Sequence, residues 1–235
     1  MTVRDTADGA APLASDRSPA WRRRTNAEAR WPAALAALTA IALQLSVPQR
    51  LTLPPGWLLP WLELAVLVVI VAVNPRRITG ERAWLRPAGM ILVAVASLAN
   101  ATSAALLIWR LAQGREGDDA ASLLVVGGTV WATNVIVFAL WYWELDRGGP
   151  AARARADTSY PDFLFPQMTA ADVAHPDWEP GFADYLYVSF TNATAFSPTD
   201  TMPLTRWAKL TMLLQSALSL LTMALIVARA VNVLG

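Results

Sequence analysis

Glu63 is the only carboxylate inside the long apolar stretches of this chain, lying within residues 57–73. An ionisable group in such a place is costly and by default points to function, here a proton site. It also lies six residues from Trp57, so a position near a helix end, with the carboxyl at the interface, is the competing reading. A second group is Thr194, Ser197, Pro198, Thr199 and Asp200, hydroxyls and an acid gathered around a proline between two apolar segments. Hydroxyls, backbone carbonyls and rings of acids are what cation pathways are lined with. A third group is the stripe Thr211, Gln215, Ser219 and Thr222, repeating at helical spacing; Ser97, Asn100 and Ser103 form another. Such stripes either join helices or line a pore. Joining is the expectation for the stripe from Ser97. Pore lining is the expectation for Thr211, Gln215 and Ser219.

Chemistry of the soluble-enzyme kind is sparse. The single His175 lies near Asp172, Asp177 and Glu179, one imidazole among carboxylates with no cysteine in the chain. An exposed acidic loop explains that spacing better than a metal site, so no metal is expected. There is no glycine-rich phosphate loop, no nucleophile elbow and no HExxH pair. Neither catalytic residues nor a cofactor are expected, and the chain is not read as an enzyme. A net charge of +1 gives no reason to expect a nucleic-acid partner.

The elements that must position these residues follow from composition. Of 235 residues, 55% are hydrophobic and 16% charged, with a mean hydropathy of +0.37. Soluble domains carry about 25% charge. A spanning helix needs about 20 mainly apolar residues, with about 17 as a minimum. Five runs qualify: 31–47, 57–73, 85–111, 123–143 and 207–231. Tryptophans stand at or beside their ends, where indole favours the membrane interface. The runs do not alternate as barrel strands would. Residues 182–196 are too short and polar for an ordinary span, and Ser197-Pro198-Thr199-Asp200 breaks the helix before the last run. Either this is a re-entrant hairpin, buried in protein or lining water, or it is a helix lying on the surface.

The expected fold is therefore an all-α integral membrane protein. It has five transmembrane helices and a short re-entrant, pore-like helix before the last span. Residues 1–30 read as a disordered cytoplasmic tail, 31–143 as a four-span membrane region, 144–181 as an aromatic and acidic loop, and 182–235 as the hairpin with the final span. Under a cytoplasmic N-terminus, 15 of the 19 basic residues fall inside, which favours that orientation. Either the hairpin then enters from the cytoplasmic face, or residues 182–202 cross fully, or one span is miscounted.

The stretch YLYVSFTNATAFSPTDTMPLT, residues 185–205, resembles the pore region of two-helix-type potassium channels. Leu186, Tyr187 and Ser189 match the pore helix, Thr194 the start of the filter and Asp200 its terminal acid. Pro203, Leu204 and Thr205 match the start of the inner helix. The resemblance implies four subunits around one axis and a pore loop admitted from outside, opposite to the side the charge count favours. The filter glycines are replaced by Ser197 and Thr199, with Pro198 fixing φ between them. Potassium selectivity is therefore not implied. The chain also resembles an uncharacterised group of bacterial multi-span membrane proteins that end in a similar LYVSFT segment and a helix. Its high Ala, Arg and Trp content fits a GC-rich bacterial source.

These readings converge on a bacterial inner-membrane protein that is channel-like, with low or unknown ion selectivity. The expected partners are the lipid bilayer, further copies of the chain and monovalent cations. Two alternatives stand beside it: a non-conducting protein that binds a partner or lipid, and a small proton-linked transporter using Glu63.

Overall fold

The computed structural model describes residues 18–74, 84–115, 119–170, 172–194 and 200–234. Helices dominate: α1 (Trp31–Ser46), α2 (Leu58–Val73), α3 (Leu85–Ala112), α4 (Ala120–Leu145), α5 (Pro150–Arg155), α6 (Pro166–Thr169), α7 (Phe182–Thr194) and α8 (Arg206–Leu234). The strands β1 (Phe163–Leu164) and β2 (Met202–Pro203) pair antiparallel, Phe163 opposite Pro203.

Among the described residues, three helical segments are long and apolar enough to cross a membrane: Leu85–Ala112, Ala121–Arg155 and Arg206–Val231. The other two apolar helices, α1 and α2, have 16 residues each, a rise of about 24 Å against a hydrocarbon core of about 30 Å. Leu210, Leu213, Leu220, Val227 and Val231 stand exposed along α8. A continuous apolar face of this kind suits lipid better than water.

Local chemistry sets the boundaries. Asp119 caps α4, accepting from the backbone N–H groups of Ala121 (3.2 Å) and Ser122 (3.0 Å). The far end of α4 is broken by three successive residues in left-handed territory: Arg147 (φ 52°), Gly148 (φ 82°) and Gly149 (φ 93°). Glycine takes such angles without strain, but arginine does not. Arg147 is held there from several sides. Its N–H donates to Asp162 Oδ2 at 2.8 Å, its guanidinium to Thr158 O, and its carbonyl accepts from Thr158 Oγ1. Pro150 then opens α5 at a position where its missing N–H costs nothing.

The C-terminal end of α4, the start of α7 and the start of α8 lie together. Tyr185 of α7 reaches Asp146, and Ser189 reaches Val135, so α7 runs antiparallel to α4. Asn192 and Ser216 pair, so α7 and α8 run side by side in the same direction. Phe163 plugs the junction. It is fully buried, with ring centroids 5.1 Å from Tyr142, 5.6 Å from Trp207 and 6.3 Å from Tyr185. The Trp207 and Tyr185 contacts are edge-on, and such pairs contribute about 0.5–1.5 kcal/mol each beyond area burial. At the opposite end, Leu51, Leu107, Val130 and Ile226 form a smaller apolar cluster. There Gly127 gives room to Ile226, whose Cδ1 lies where a Cβ would be.

The segment before α1 departs from the unstructured tail expected through residue 30. From Ser18 onward it packs on the α4–α5 corner. Ala20 and Trp21 are buried, the Thr25 N–H donates to Ala154 O at 3.0 Å, and Arg23 pairs with Asp177 at 2.6 Å. Trp21 supplies the apolar surface that its arginine-rich surroundings hide in the sequence, and the Arg147 guanidinium lies 5.6 Å above its ring. Residues 1–17 lie outside the described residues.

Candidate functional site

Helix α7 buries Phe182, Tyr185, Val188, Ser189 and Ala193, the spacing of one helical face, against α4 and α8. Polar groups on that face are all engaged. Ser189 Oγ donates to Val135 O at 2.6 Å. Gln215, fully buried, donates from Nε2 to Ser189 O (3.0 Å) and Oγ (2.6 Å). Its Oε1 accepts from Tyr142 Oη (2.6 Å) and Asn192 Nδ2 (2.8 Å). Asn192 Nδ2 also donates to Met212 O at 2.9 Å, and Ser216 Oγ donates to Asn192 Oδ1 at 2.9 Å. One glutamine thus ties three helices.

The other residues singled out from sequence fall as follows. Ser219 is buried and accepts from Asn134 Nδ2 at 3.0 Å. Thr211 Oγ1 donates to Trp207 O, inside its own helix. Thr194 Oγ1 donates to Thr191 O, likewise within α7. Asp200 is exposed. Ser197, Pro198 and Thr199 lie outside the described residues. Gln215 and Ser219 therefore act as ties inside a single chain, the other role such a stripe can take. Their side chains do not face outward toward an axis shared with further copies.

The two polar stripes meet. Ser97 and Asn100 of α3, Asn134 of α4, and Ser219 and Thr222 of α8 line one cavity of about 100 Å³. Trp141 Nε1 donates to Ser97 Oγ at 2.8 Å beside it. Sequence periodicity identifies each stripe but not that they face one another.

Glu63 is 1% exposed, so its carboxyl is enclosed by protein. Its Oε2 accepts from Gln44 Nε2 of α1 at 3.1 Å, while Glu63 Oε1 and Gln44 Oε1 have no hydrogen-bond partner. Two acceptors left over in one buried pair is the arrangement that a proton on the carboxyl would complete. Sequence reading missed Gln44, whose only signal is a lone amide in an otherwise apolar run.

A further cluster went unread because its arginines look like ordinary orienting charge. Arg30, Arg86, Arg147 and Arg155 line a cavity of about 350 Å³ between the ends of α2, α3 and α4, with Trp143 and Glu144 on its wall. Behind it, Arg153 Nη1 donates to Trp143 O (2.7 Å) and Asp146 O (3.0 Å), and its Nη2 lies 3.7 Å from Glu28. Glu28 accepts from Trp143 Nε1 (2.8 Å) and the Phe182 N–H (2.6 Å). Burial raises the Glu28 carboxyl above its ordinary value, against the opposing pull of those hydrogen bonds and Arg153.

In the loop, His175 Nδ1 accepts from the Asp177 N–H at 3.2 Å, and Glu179 accepts from Thr25 Oγ1 at 2.6 Å. Among the described residues, no group of three or more histidines and carboxylates is placed to hold a metal ion. No protein-family model matches the chain, nor does any curated protein or solved structure.

Proposed function

We propose that this chain is a channel-like protein of the bacterial inner membrane, in which α7 and the segment leading to Met202 form a re-entrant hairpin. In this reading all five apolar helices cross the bilayer, α1 and α2 using flanking residues to reach both interfaces. The observation that carries it is where the chain enters and leaves. Tyr185, one turn into α7, hydrogen-bonds to Asp146, and Pro203, after the hairpin, pairs with Phe163 beside the same corner. Leu204 N–H and Trp207 Nε1 both donate to Asp162 there, at 2.8 and 2.9 Å. A helix that goes in for 13 residues and whose chain is back at its starting level by residue 203 is the outline of a pore loop.

Several copies around an axis would bring their Asp200 side chains into a ring that attracts monovalent cations, with little preference between potassium and sodium. The test is cation flux into liposomes holding the purified protein, with both ions. Asp200→Asn is expected to lower the flux and leave folding nearly intact, since an exposed charge contributes little to stability. Absence of flux from a correctly folded oligomer overturns the reading.

A second reading is a non-conducting membrane protein that binds a partner or lipid. It is favoured by the engagement of Gln215, Asn192 and Ser219 within one chain, which leaves the hairpin well tied down. A third, proton-linked transport through Glu63, is favoured by its depth and the two unpartnered acceptors. A pH-driven flux abolished by Glu63→Gln would single it out.

A further inference from the structure

The cavity between the ends of α2, α3 and α4 has the makings of an anion site, independent of whether the protein conducts. Four arginines and two carboxylates line it, leaving an excess of positive charge. Glu144, on the back wall, sits within electrostatic reach of Arg30, Arg86 and Arg153. That carboxylate keeps the guanidinium groups gathered, and it would repel an anion pushed deeper than their rim. Arg30 Nε is buried without a hydrogen-bond partner, an N–H donor that a bound acceptor would satisfy. Arg147 and Arg155 are already occupied by Thr158 O and Asp157.

The space is kept open by glycine. A Cβ on Gly89 would stand 3.0 Å from Glu144 Oε1, and one on Gly149 would meet Glu144 O at 2.9 Å with φ at 93°. The apolar part of the lining, Leu85 and Trp143, belongs to helices long enough to cross a membrane. The cavity therefore lies where apolar helices give way to polar loop, the level at which headgroups sit.

We propose that this cavity binds the phosphate group of an anionic ligand, with Arg30 and Arg86 grasping the phosphate oxygens and Trp143 and Leu85 receiving the adjoining apolar part. The guanidinium fork matches phosphate geometry and can bind it through two parallel hydrogen bonds. A volume of about 350 Å³ accommodates a phosphodiester with its glycerol but not acyl chains, which would lie outside. A lipid headgroup and a free phosphate share this chemistry, and the experiment separates them.

The full chain in detergent is titrated with phosphatidylglycerol and with phosphatidylcholine, and bound lipid is counted by native mass spectrometry. Inorganic phosphate against chloride, at matched ionic strength, is followed by thermal unfolding. Phosphatidylglycerol is expected to bind at least about tenfold more tightly than phosphatidylcholine. The Arg30→Gln/Arg86→Gln variant should lose that preference. Arg115→Gln, a loss of charge beyond the other end of α3, should keep it. If Arg30→Gln disturbs folding, Arg86→Gln alone, at an exposed position, should still weaken binding. Stabilisation by inorganic phosphate that disappears in the same variants would identify a free phosphate as the ligand. Stabilisation by phosphatidylglycerol only would identify a lipid. Equal binding of the two lipids with no response to phosphate, or unchanged binding in the double variant, overturns the proposal.

Discussion

Gln215→Ala is the most informative single change, because each of its consequences can be traced to named atoms. The truncation removes the acceptor of Tyr142 Oη and one of two acceptors of Asn192 Nδ2, which keeps Met212 O. It also removes a donor to Ser189, whose own hydroxyl keeps Val135 O. Only the Tyr142 O–H is left without an acceptor, and a buried polar group so stranded costs about 1–3 kcal/mol. The three other lost hydrogen bonds, from Asn192 Nδ2 and to Ser189 O and Oγ, add about 0.6 kcal/mol each, the average for interhelical bonds in membranes. The expected loss is about 3–5 kcal/mol. Tyr142→Phe alone should cost about 0.5–1.5 kcal/mol, since Gln215 Oε1 keeps Asn192. In the Tyr142→Phe background the stranded hydroxyl no longer exists, so Gln215→Ala should cost about 1–3 kcal/mol less than in the native chain. Reversible unfolding in mixed micelles measures all four corners of this cycle. Strict additivity, or a Gln215→Ala cost below about 0.5 kcal/mol, would show that Gln215 does not tie α7 to α4 and α8.

Three further outcomes are expected. Glu63→Leu should destabilise by about 1–3 kcal/mol by stranding the Gln44 amide, and adding Gln44→Leu should restore most of the loss, because replacing both partners removes the unsatisfied group; unfolding in micelles reads both. Glu28 has a raised folded-state pKa, so its contribution is fully present below the ordinary glutamate value and is lost as pH rises through the raised one. The unfolding midpoint should therefore rise on going from pH 7 to pH 5, and Glu28→Gln should flatten that dependence. The chain has no cysteine, so Tyr160→Cys should resist an impermeant thiol reagent in intact cells while Gln113→Cys reacts. The reverse labelling would invert the orientation inferred from charge.

Much of the helical layout was legible because apolar period and length are properties of contiguous residues. The run 85–111 became Leu85–Ala112, and the short polar segment 182–196 became Phe182–Thr194. What was not legible depends on rotation of one helix against another. Gln44 and Glu63 lie 19 residues apart on different helices, and nothing local indicates that they share a face. Gln215 reads equally as tie or pore lining until Tyr142, Ser189 and Asn192 are seen around it. Trp21 was hidden by composition. A single aromatic among arginines looks solvated until the α4–α5 corner offers it a seat. Other arginines illustrate a further ambiguity. An arginine beside an apolar run, such as Arg30 or Arg86, reads equally as orienting charge or as a ligand contact, so its sequence position does not separate the two roles.

The last turn of α4 is where the separate features of this molecule touch. Tyr142 holds Gln215 and with it the α7–α8 pair. Trp143 and Glu144, the next two residues, line the arginine cavity, and Asp146 holds Tyr185 at the start of α7. Successive residues on a helix point about 100° apart, so one turn can serve α7 on one side and the cavity on the other. Arg153 fixes this turn from behind, donating to the Trp143 and Asp146 carbonyls at once. The helix end is thereby pinned, even though three residues in left-handed territory follow it. A ligand seated on Arg30 and Arg86 would therefore bear on the same turn that holds α7. Coupling between the two follows only if that turn has a second arrangement, and a phosphate-dependent change in the Gln215–Tyr142 interaction energy is the measurement that would reveal one.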